Sequence, residues 1–297
     1  MNVLLLGANS QLGTDLVPAL ANHNLTVTAR APVALAKHIA FRQLDLQDTD
    51  AVRELVHAVG PDVIINTTAF HRVDDIEKDS GQALIMNARV PHFLALVSRE
   101  TNSSLVHIST DYVFDGAQNT PYGEDHPVYP LSAYGASKAA GEFLIRASWH
   151  KHFIVRSTGL YGLAGASGKG GNFVNTMLKL AEAGKPIRVV ADQVCTPTFT
   201  ADLARQISAL IETAGYGTIH ITNEGGCSWA DFAAEIFAVS RLSPDFGATT
   251  SAAFAAPARR PAYSVLANNA TRVLGLAPMR SWREALTEYL MLKAGLA

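Results

Sequence analysis

Apolar residues in the first half of the chain alternate between short continuous runs and helical spacing. The first run, residues 3–6, is followed by Leu12, Leu16 and Leu20, which recur on one face of a predicted helix. We predict strands at residues 3–6, 25–29, 40–44, 62–66, 105–109 and 153–156. We predict helices at residues 11–22, 48–59, 80–101 and 131–147, with Pro91 kinking or splitting the third. This alternation predicts an α/β fold, a doubly wound parallel sheet with helices on both faces.

The alternation of predicted strands and helices becomes less regular after residue 160. A glycine-rich loop is predicted at 162–171 and an irregular stretch, rich in Ala, Pro and Arg, at 248–261. Further elements are predicted at 172–183, 187–190, 200–213, 217–222, 229–239 and 282–293. We therefore predict a dinucleotide-binding domain, 1–160, and a smaller C-terminal α/β substrate-binding domain, 161–297. Within the latter, 199–223 is expected to return to the main sheet.

Composition excludes some classes of function. The 297 residues include 24 basic and 26 acidic ones, a balance that gives no attraction for nucleic acid or an anionic membrane. No segment approaches the roughly 20 apolar residues of a membrane helix. The two cysteines, Cys195 and Cys227, have no metal-ligand spacing, so we predict free thiols, a cytoplasmic protein and no metal site.

A glycine-containing loop, Gly7 to Gly13, joins the first strand to the first helix. Backbone N–H groups at such a helix start, together with the helix dipole, stabilise a pyrophosphate. Dinucleotide-binding loops have a third glycine where this chain has Ser10, whose hydroxyl could itself donate to phosphate. Ordinary strand–helix turns also contain glycines, so the loop alone leaves both interpretations open. The candidate cofactor residues here are Gly7, Asn9, Ser10, Gln11, Leu12 and Gly13.

The end of the second predicted strand bears on the choice of cofactor. No acid that would bind a ribose 2′-hydroxyl occurs in residues 25–33, and Arg30 could face a 2′-phosphate instead. A solvated surface arginine is the other interpretation. Asp45 and Leu46 follow the third strand and could contact adenine, whereas the nearby Asp48 is expected to cap a helix.

Tyr134 and Lys138 are spaced to share one face of a helix. An ammonium about 4 Å from a phenol would lower the phenol pKa by at most ~3 units, toward the range useful for proton transfer. A bare Tyr-x-x-x-Lys pair is usually coincidence. Here, however, a predicted strand ends at Thr110, and ligands meet parallel sheets at the carboxyl ends of strands. Thr110 could hold a carbonyl or merely form a turn, and His107 within the strand is interpreted as a core residue.

These residues resemble the extended short-chain dehydrogenases and, within them, the dTDP-4-dehydrorhamnose reductase family. The run Ser-Thr-Asp-Tyr-Val-Phe-Asp-Gly at 109–116 is highly specific for that group. Matching segments extend over nearly the whole chain, at 11–13, 66–70, 73–74, 87–88, 121–122, 124–125, 134–138, 171–174, 192–193, 197–198, 228–229, 259–261 and 264. The resemblance implies a Rossmann fold.

The resemblance also implies an activity. Hydride from NADPH, with NADH as an open alternative, would reduce C4 of a 4-keto-6-deoxyhexose carried on a nucleoside diphosphate. Tyr134 would protonate the alkoxide, Thr110 would hold the carbonyl, and Lys138 would bind the nicotinamide ribose and tune Tyr134. Further cofactor contacts are expected from Thr68, Ala69, Phe70 and Asn87. The expected substrate contacts are Asp111, Val113, Asn172, Phe173, Gln193 and Arg260, the last as a diphosphate clamp.

Three departures from the family pattern concern the ligands. Ser10 replaces a glycine, Phe70 a tyrosine, and Gly159 a tryptophan that family members place beside the sugar. The last change predicts a roomier sugar pocket. The loop 162–171, longer than is typical, is expected to fold over the substrate.

Other functions stay open. The same residues suit another nucleotide-sugar ketoreductase or an epimerase, which would hold NAD tightly without consuming it. A non-catalytic regulatory subunit, similar to the beta subunit of methionine adenosyltransferase, is the alternative from another class. The sugar, the nucleoside and the oligomeric state, a homodimer included, are left undecided by the sequence.

Overall fold

The structure, a computed structural model, describes residues 1–36, 39–165 and 171–295. Its strands are β1 Asn2–Leu6, β2 Asn24–Ala29, β3 Ala40–Gln43, β4 Val63–Asn66, β5 Ser104–Thr110, β6 His152–Ser157, β7 Leu160–Tyr161, β8 Ile187–Val190, β9 Val194–Cys195, β10 Thr198–Phe199, β11 Gly217–His220, β12 Cys227–Ser228 and β13 Phe246–Thr249. Its α-helices are α1 Gln11–Ala19, α2 Thr49–Val59, α3 Val73–Ile76, α4 Gly81–Leu84, α5 Val90–Glu100, α6 Ala133–Ser148, α7 Phe173–Glu182, α8 Thr200–Leu210, α9 Trp229–Val239, α10 Ser251–Phe254, α11 Asn269–Val273 and α12 Trp282–Lys293.

Seven parallel strands form the main sheet in the order β11-β6-β5-β4-β1-β2-β3. The chain leaves β1 toward β2 and β3, and then crosses back to β4 on the other side of β1. This reversal places a crevice at the carboxyl ends of β1 and β4, where doubly wound sheets bind ligands. The predicted doubly wound parallel sheet is confirmed.

Two apolar cores cover the faces of this sheet. One contains Leu16 of α1 with Leu203 and Ile207 of α8, and the other contains Val56 of α2 with Leu94 of α5. Strand β11 pairs in parallel with β6, so α8 and β11 are part of the sheet layer although they follow residue 160. Residues around α11 also pack on the first core.

A third core lies outside the main sheet, among α7, α9 and α12. It is centred on large rings that pack edge-on or stacked: Tyr161, Phe199, Phe232, Trp282 and Tyr289. The prediction of an irregular stretch at 248–261 is wrong in part, because this stretch includes the end of β13 and all of α10. Among the described residues β13 pairs with β8 alone, and it is half-exposed, so it lacks the apolar run by which buried strands are recognised.

Pro91 shapes the helix that supports α6. A π-helical turn, Ile85–Arg89, precedes α5, because a proline cannot donate the hydrogen bond that continues an α-helix. Gly141 of α6 packs on this turn, and a Cβ there would lie 2.1 Å from the Asn87 carbonyl oxygen. The glycine lets α6 pack closely against the π-helical turn.

Within the described ranges, no helix combines the length and apolar character needed to cross a membrane. The same residues include no group of three or more His, Cys, Asp or Glu side chains placed to hold a metal. Cys195 and Cys227 are free and buried, and they are cross-strand partners in the β9–β12 ladder.

Candidate active site

The loop after β1 is shaped by two glycines. Gly7 has φ +89°, which favours glycine, and a Cβ at Gly13 would lie 2.2 Å from the Gly7 carbonyl oxygen. The first-turn N–H groups of α1 have no partners within the helix, and no acid occupies that turn. A close backbone approach and a helix start without negative charge fit the pyrophosphate of a dinucleotide.

Ser10 is the N-cap of α1. Its hydroxyl accepts from the Gly13 N–H at 2.9 Å and lies 2.8 Å from Thr67 Oγ1. The Thr67 hydroxyl in turn shares its proton between the carbonyl oxygens of Leu6 at 2.9 Å and Gly7 at 3.0 Å. The suggestion that the Ser10 hydroxyl donates to phosphate therefore does not fit this structure, because that hydroxyl is engaged within the loop. Leu12 is also turned away from the site, into the sheet core.

The segment after β4 is tied to α6. The Asn87 side chain accepts from the Phe70 N–H at 2.8 Å and donates to the Phe70 carbonyl at 2.9 Å. The same amide donates to Ser137 Oγ at 3.0 Å. Residues Thr68, Ala69 and Phe70 are half-buried beside the cofactor loop. The Asn87 side chain thus links the predicted cofactor segment, residues 68–70, to α6.

The predicted adenosine contacts lie at the ends of β2 and β3. Arg30, Asp45 and also Asn9 of the first loop are exposed, whereas Leu46 is buried in the core. A side-chain contact of Leu46 with adenine is thus not supported. Asp48 caps α2 by accepting from the Ala51 N–H at 3.0 Å, as predicted.

A hydrogen-bonded chain of side chains forms at the carboxyl end of β5. Tyr134 is hydrogen-bonded to Thr110, whose hydroxyl donates to Asp111 at 3.0 Å. Thr158 donates to the other Asp111 oxygen at 2.9 Å, and Ser264 also bonds this carboxylate. Burial raises the pKa of Asp111 to about 6, although these hydrogen bonds oppose the shift. Three predicted site residues therefore meet: Thr110, Asp111 and Tyr134.

Tyr134 does not have the lowered pKa that the sequence suggested. Burial, and then the charge of Asp111, raise the pKa of Tyr134, while the bond to Thr110 lowers it. Lys138 points elsewhere: its Nζ donates to the Ile108 carbonyl at 2.6 Å and lies 3.1 Å from His107 Nε2. The expected effect of the Lys138 ammonium on Tyr134 is therefore wrong for this structure.

Lys138 is almost fully buried, and burial lowers its pKa to about 8, with Glu142 opposing the shift. His107 is a core residue, as predicted, but its contact with Lys138 was missed. Alternation along β5 carried the signal: His107 and Ser109 lie on the same face, and Ser109 donates to Glu142 of α6 at 2.6 Å.

The predicted substrate residues are each held by other parts of the protein. The Asn172 amide donates to the Gly162 carbonyl at 2.8 Å, and its oxygen caps α7. Gln193 donates to Ser251 Oγ at 2.8 Å. Arg260 pairs with both carboxylate oxygens of Asp74 at 3.0 Å.

The two apolar residues among the predicted substrate contacts, Phe173 and Val113, differ in how deeply they are buried. Phe173 packs on Trp229 with ring centroids 4.7 Å apart and stays half-buried. Val113 is fully buried in a cluster with Phe114, Tyr122 and Leu266. A substrate contact through the Val113 side chain is therefore not supported.

The backbone conformation at position 159 explains why a glycine occupies it. Its φ is +59°, and a Cβ there would lie 3.0 Å from Pro197 Cα. An indole at this position would thus require a different turn, not merely a filled space. Residues 166–170 of the predicted loop lie outside the described residues.

Comparisons with known proteins agree with this geometry. A family model described as "RmlD substrate binding domain" matches residues 1–294. A probable dTDP-4,6-dihydroxy-2-methyloxan-3-one 4-ketoreductase of Streptomyces antibioticus is 41% identical over 291 residues, covering 97% of this chain and 94% of that protein. A dTDP-4-dehydrorhamnose reductase of Streptomyces griseus is 39% identical over 292 residues, covering 96% and 91%. The solved structure of a dTDP-4-dehydrorhamnose reductase of Bacillus anthracis in complex with NADP has a TM-score of 0.86 and 36% identity, covering 98% of each chain.

The fold and the relatives together define an oxidoreductase of the nicotinamide-dependent, short-chain dehydrogenase type. The chain belongs to the RmlD family, that of the dTDP-4-dehydrorhamnose reductases. The resemblance stated from the sequence is confirmed.

Proposed function

We propose that this protein uses NADPH to reduce the 4-keto group of a nucleoside-diphosphate 4-keto-6-deoxyhexose, in the first place dTDP-4-dehydrorhamnose to dTDP-rhamnose. The observation that carries the proposal is the bonded chain of Tyr134, Thr110 and Asp111 at the end of β5. It lies in a chain that matches the family from residue 1 to residue 294. The free, buried cysteines fit a reducing, cytoplasmic compartment.

Tyr134 is the proposed proton donor. Because burial and Asp111 raise the pKa of Tyr134, its phenol stays protonated at neutral pH, which is the state that a reductase needs at the start of its reaction. The bound nicotinamide supplies the hydride to C4. Tyr134 then gives its proton to the new alkoxide and becomes a phenolate, which must regain a proton before the next turnover.

Thr110 and Lys138 have supporting roles. The Thr110 hydroxyl donates a hydrogen bond to Asp111 in this structure, so it can donate to a substrate carbonyl only after that bond rearranges. Lys138 is proposed to bind the nicotinamide ribose. Its buried amine lies against β5, at a carbonyl two residues before Thr110, the last residue of the strand.

The cofactor is proposed to lie along the glycine loop and the segment after β4. Gly7, Gly13 and the first turn of α1 would hold the pyrophosphate, and Arg30 the 2′-phosphate of NADPH. Residues 25–33 include no acidic side chain that would bind the ribose 2′-hydroxyl and so favour NADH. The Bacillus anthracis relative was solved in complex with NADP. On the substrate side, Asn172, Gln193 and Arg260 would contact the nucleotide sugar, with the Arg260 fork on the diphosphate.

The experiment is a screen of 4-keto-6-deoxy nucleotide sugars, varying the nucleoside and the configuration of the ring. Loss of NADPH absorbance is the readout, with NADH in parallel. We expect the fastest turnover with dTDP-4-dehydrorhamnose and NADPH. Epimerisation without NADPH consumption would contradict the proposal, and so would stable binding of a synthetase partner without turnover of any sugar in the screen.

A further inference from the structure

A buried chain of polar side chains runs from α6 through β5 to β4. Lys138 Nζ lies 3.1 Å from His107 Nε2, and His107 Nδ1 lies 3.2 Å from Asn66 Nδ2. All three side chains are at most 1% exposed. Groups buried this deeply must satisfy one another, so the hydrogen positions along the chain are linked.

The orientation of Asn66 is determined by Thr68. Asn66 Oδ1 accepts from the Thr68 N–H at 3.0 Å and from the Thr68 hydroxyl at 2.7 Å. A backbone N–H can only donate, so the oxygen must lie on this side of the amide. The Asn66 NH₂ group therefore faces His107 and donates to Nδ1.

Asn66 in this way selects one tautomer of His107. Burial holds the pKa of His107 well below its usual value, and Lys138 lowers this pKa further whenever it is charged, so the ring is neutral with either form of Lys138 and has a single N–H. Because Nδ1 accepts from Asn66, that N–H must be on Nε2, pointing at the Lys138 amine. A neutral amine can accept this bond while donating to the Ile108 carbonyl, whereas an ammonium has no lone pair to accept it.

We propose that Asn66 and His107 are positioning residues that hold the Lys138 amine against β5 and favour its neutral form until the cofactor binds. The inference rests on the proposed function in assigning Lys138 to the active site. The other charge near Lys138 is Glu142, which is itself paired with Arg156 at 2.6 Å and Arg146 at 2.8 Å. Its negative charge is thereby largely compensated, so His107 is the titratable side chain in direct contact with the amine.

The arrangement has a consequence for cofactor binding. The hydroxyl and phosphate oxygens of NADPH favour a cation, so binding above the Lys138 pKa of about 8 should draw a proton from solvent. Titration of NADPH in two buffers of different ionisation enthalpy measures this uptake, since the apparent binding enthalpy then depends on the buffer. We expect uptake in the wild type and none in Lys138→Met. Equal enthalpies in both buffers with the wild type would contradict the proposal.

The direct test is the ¹⁵N spectrum of the histidine rings in the free enzyme, which distinguishes the two tautomers without turnover. The chain has ten histidines, and His107→Gln identifies the signals of His107. At about pH 9.5 we expect the Nε2–H tautomer, with both ring signals shifting as the pH falls through about 8 and no such shift in Lys138→Met. An Nδ1–H tautomer at the higher pH would overturn the inference, whatever ketone the enzyme reduces.

The substitution Asn66→Asp should reverse the direction of the hydrogen bonds that link residue 66, His107 and Lys138. Its carboxylate accepts from Nδ1–H, so Nε2 becomes an acceptor for the ammonium. We expect the opposite tautomer and a Lys138 midpoint at least about one pH unit higher, with proton uptake at about pH 8.5 reduced by about three-fold or more. A midpoint that stays at the wild-type value in a folded variant would count against the proposal. If the variant fails to fold, the wild-type spectrum still decides.

Discussion

The cofactor side and the substrate side of this site are built differently. On the cofactor side, the proposed binding surface is formed mainly by backbone. Gly7 and Gly13 allow the loop to pack tightly, and Ser10 caps the start of α1. On the substrate side, polar side chains from distant segments hold one another, as in the pairing of Arg260 with Asp74. The Asp111 carboxylate is also buried there, and burial raises its pKa.

The two sides therefore differ in how many existing hydrogen bonds and ion pairs must change when a ligand binds. The pyrophosphate of a dinucleotide meets a glycine loop and a helix start that are already formed, so little must change in that loop when it binds. A nucleotide sugar meets side chains that already have partners, so each new contact replaces an existing one. Discrimination between sugars should therefore reside on the substrate side, where the exchange of partners can succeed or fail.

Tyr134→Phe should have the largest effect, because it removes the group where the two sides meet. The ring stays, but the transferable proton is lost. We expect turnover to fall by about 100-fold or more with the NADPH affinity little changed. Single-turnover reduction of the ketone measures it, with Tyr129→Phe on an exposed loop as the control. Near-normal turnover in the phenylalanine variant would remove Tyr134 from the mechanism.

Asp111→Asn tests the cost of burying charge on the substrate side. The folded-state pKa of Asp111 is raised from 3.8 to about 6, so its favourable contribution is complete below the unfolded value and is lost as the pH rises through about 6. Relative to the wild type, the variant should gain about 2 kcal/mol of unfolding free energy between about pH 4.5 and pH 8. Urea unfolding at both pH values measures this gain, and Asp50→Asn on the exposed face of α2 is the control. A difference that does not vary with pH would mean that Asp111 is not an unfavourably buried acid.

Arg260→Lys tests the diphosphate clamp. A lysine keeps the charge but loses the planar fork that engages Asp74 and, by our proposal, the diphosphate. We expect KM for the nucleotide sugar to rise about 10-fold, as for the loss of one charge-assisted bond, while kcat and NADPH affinity stay near normal. Steady-state kinetics check this, and Arg259→Lys, at the exposed neighbouring position, is the matched control. Equal KM values in the two variants would exclude the clamp.

Arg30→Ala should have the smallest effect, because the side chain is exposed. An exposed ion pair contributes roughly 0–1 kcal/mol, so the preference for NADPH over NADH should fall by at most about five-fold. The ratio of kcat/KM for the two cofactors is the measurement. A preference unchanged by the substitution would make Arg30 a surface residue without a role in cofactor choice.

The sequence predicted the main sheet and the start of the active-site helix because these depend on local patterns. Strand β4 reads as a continuous apolar run, and Asp48 precedes an amphipathic helix that it caps. The contact of Thr110 with Tyr134 follows from topology, since Thr110 ends β5 and α6 begins at the edge of the sheet where the parallel strands end.

Other features depend on partners far away in the chain and left no local signal. Arg260 and Asp74 are 186 positions apart, and Gln193 and Ser251 are 58 apart. The direction of the Lys138 side chain is set by His107 and the Ile108 carbonyl, so helical spacing from Tyr134 could not reveal it. The constraint on position 159 likewise comes from a distant segment, since a Cβ there would lie 3.0 Å from Pro197 Cα.

The central claim, reduction at C4 of the sugar, is tested most directly by isotope transfer. NADPH carrying deuterium at the transferable position of the nicotinamide, prepared as each stereoisomer, is incubated with dTDP-4-dehydrorhamnose, and the product is examined by NMR. Our account predicts that one stereoisomer places one deuterium at C4 of the product for each NADPH oxidised, with the oxygen-bound proton coming from solvent by way of Tyr134. Oxidation of NADPH without deuterium at C4, or conversion of the sugar without oxidation of NADPH, would contradict it.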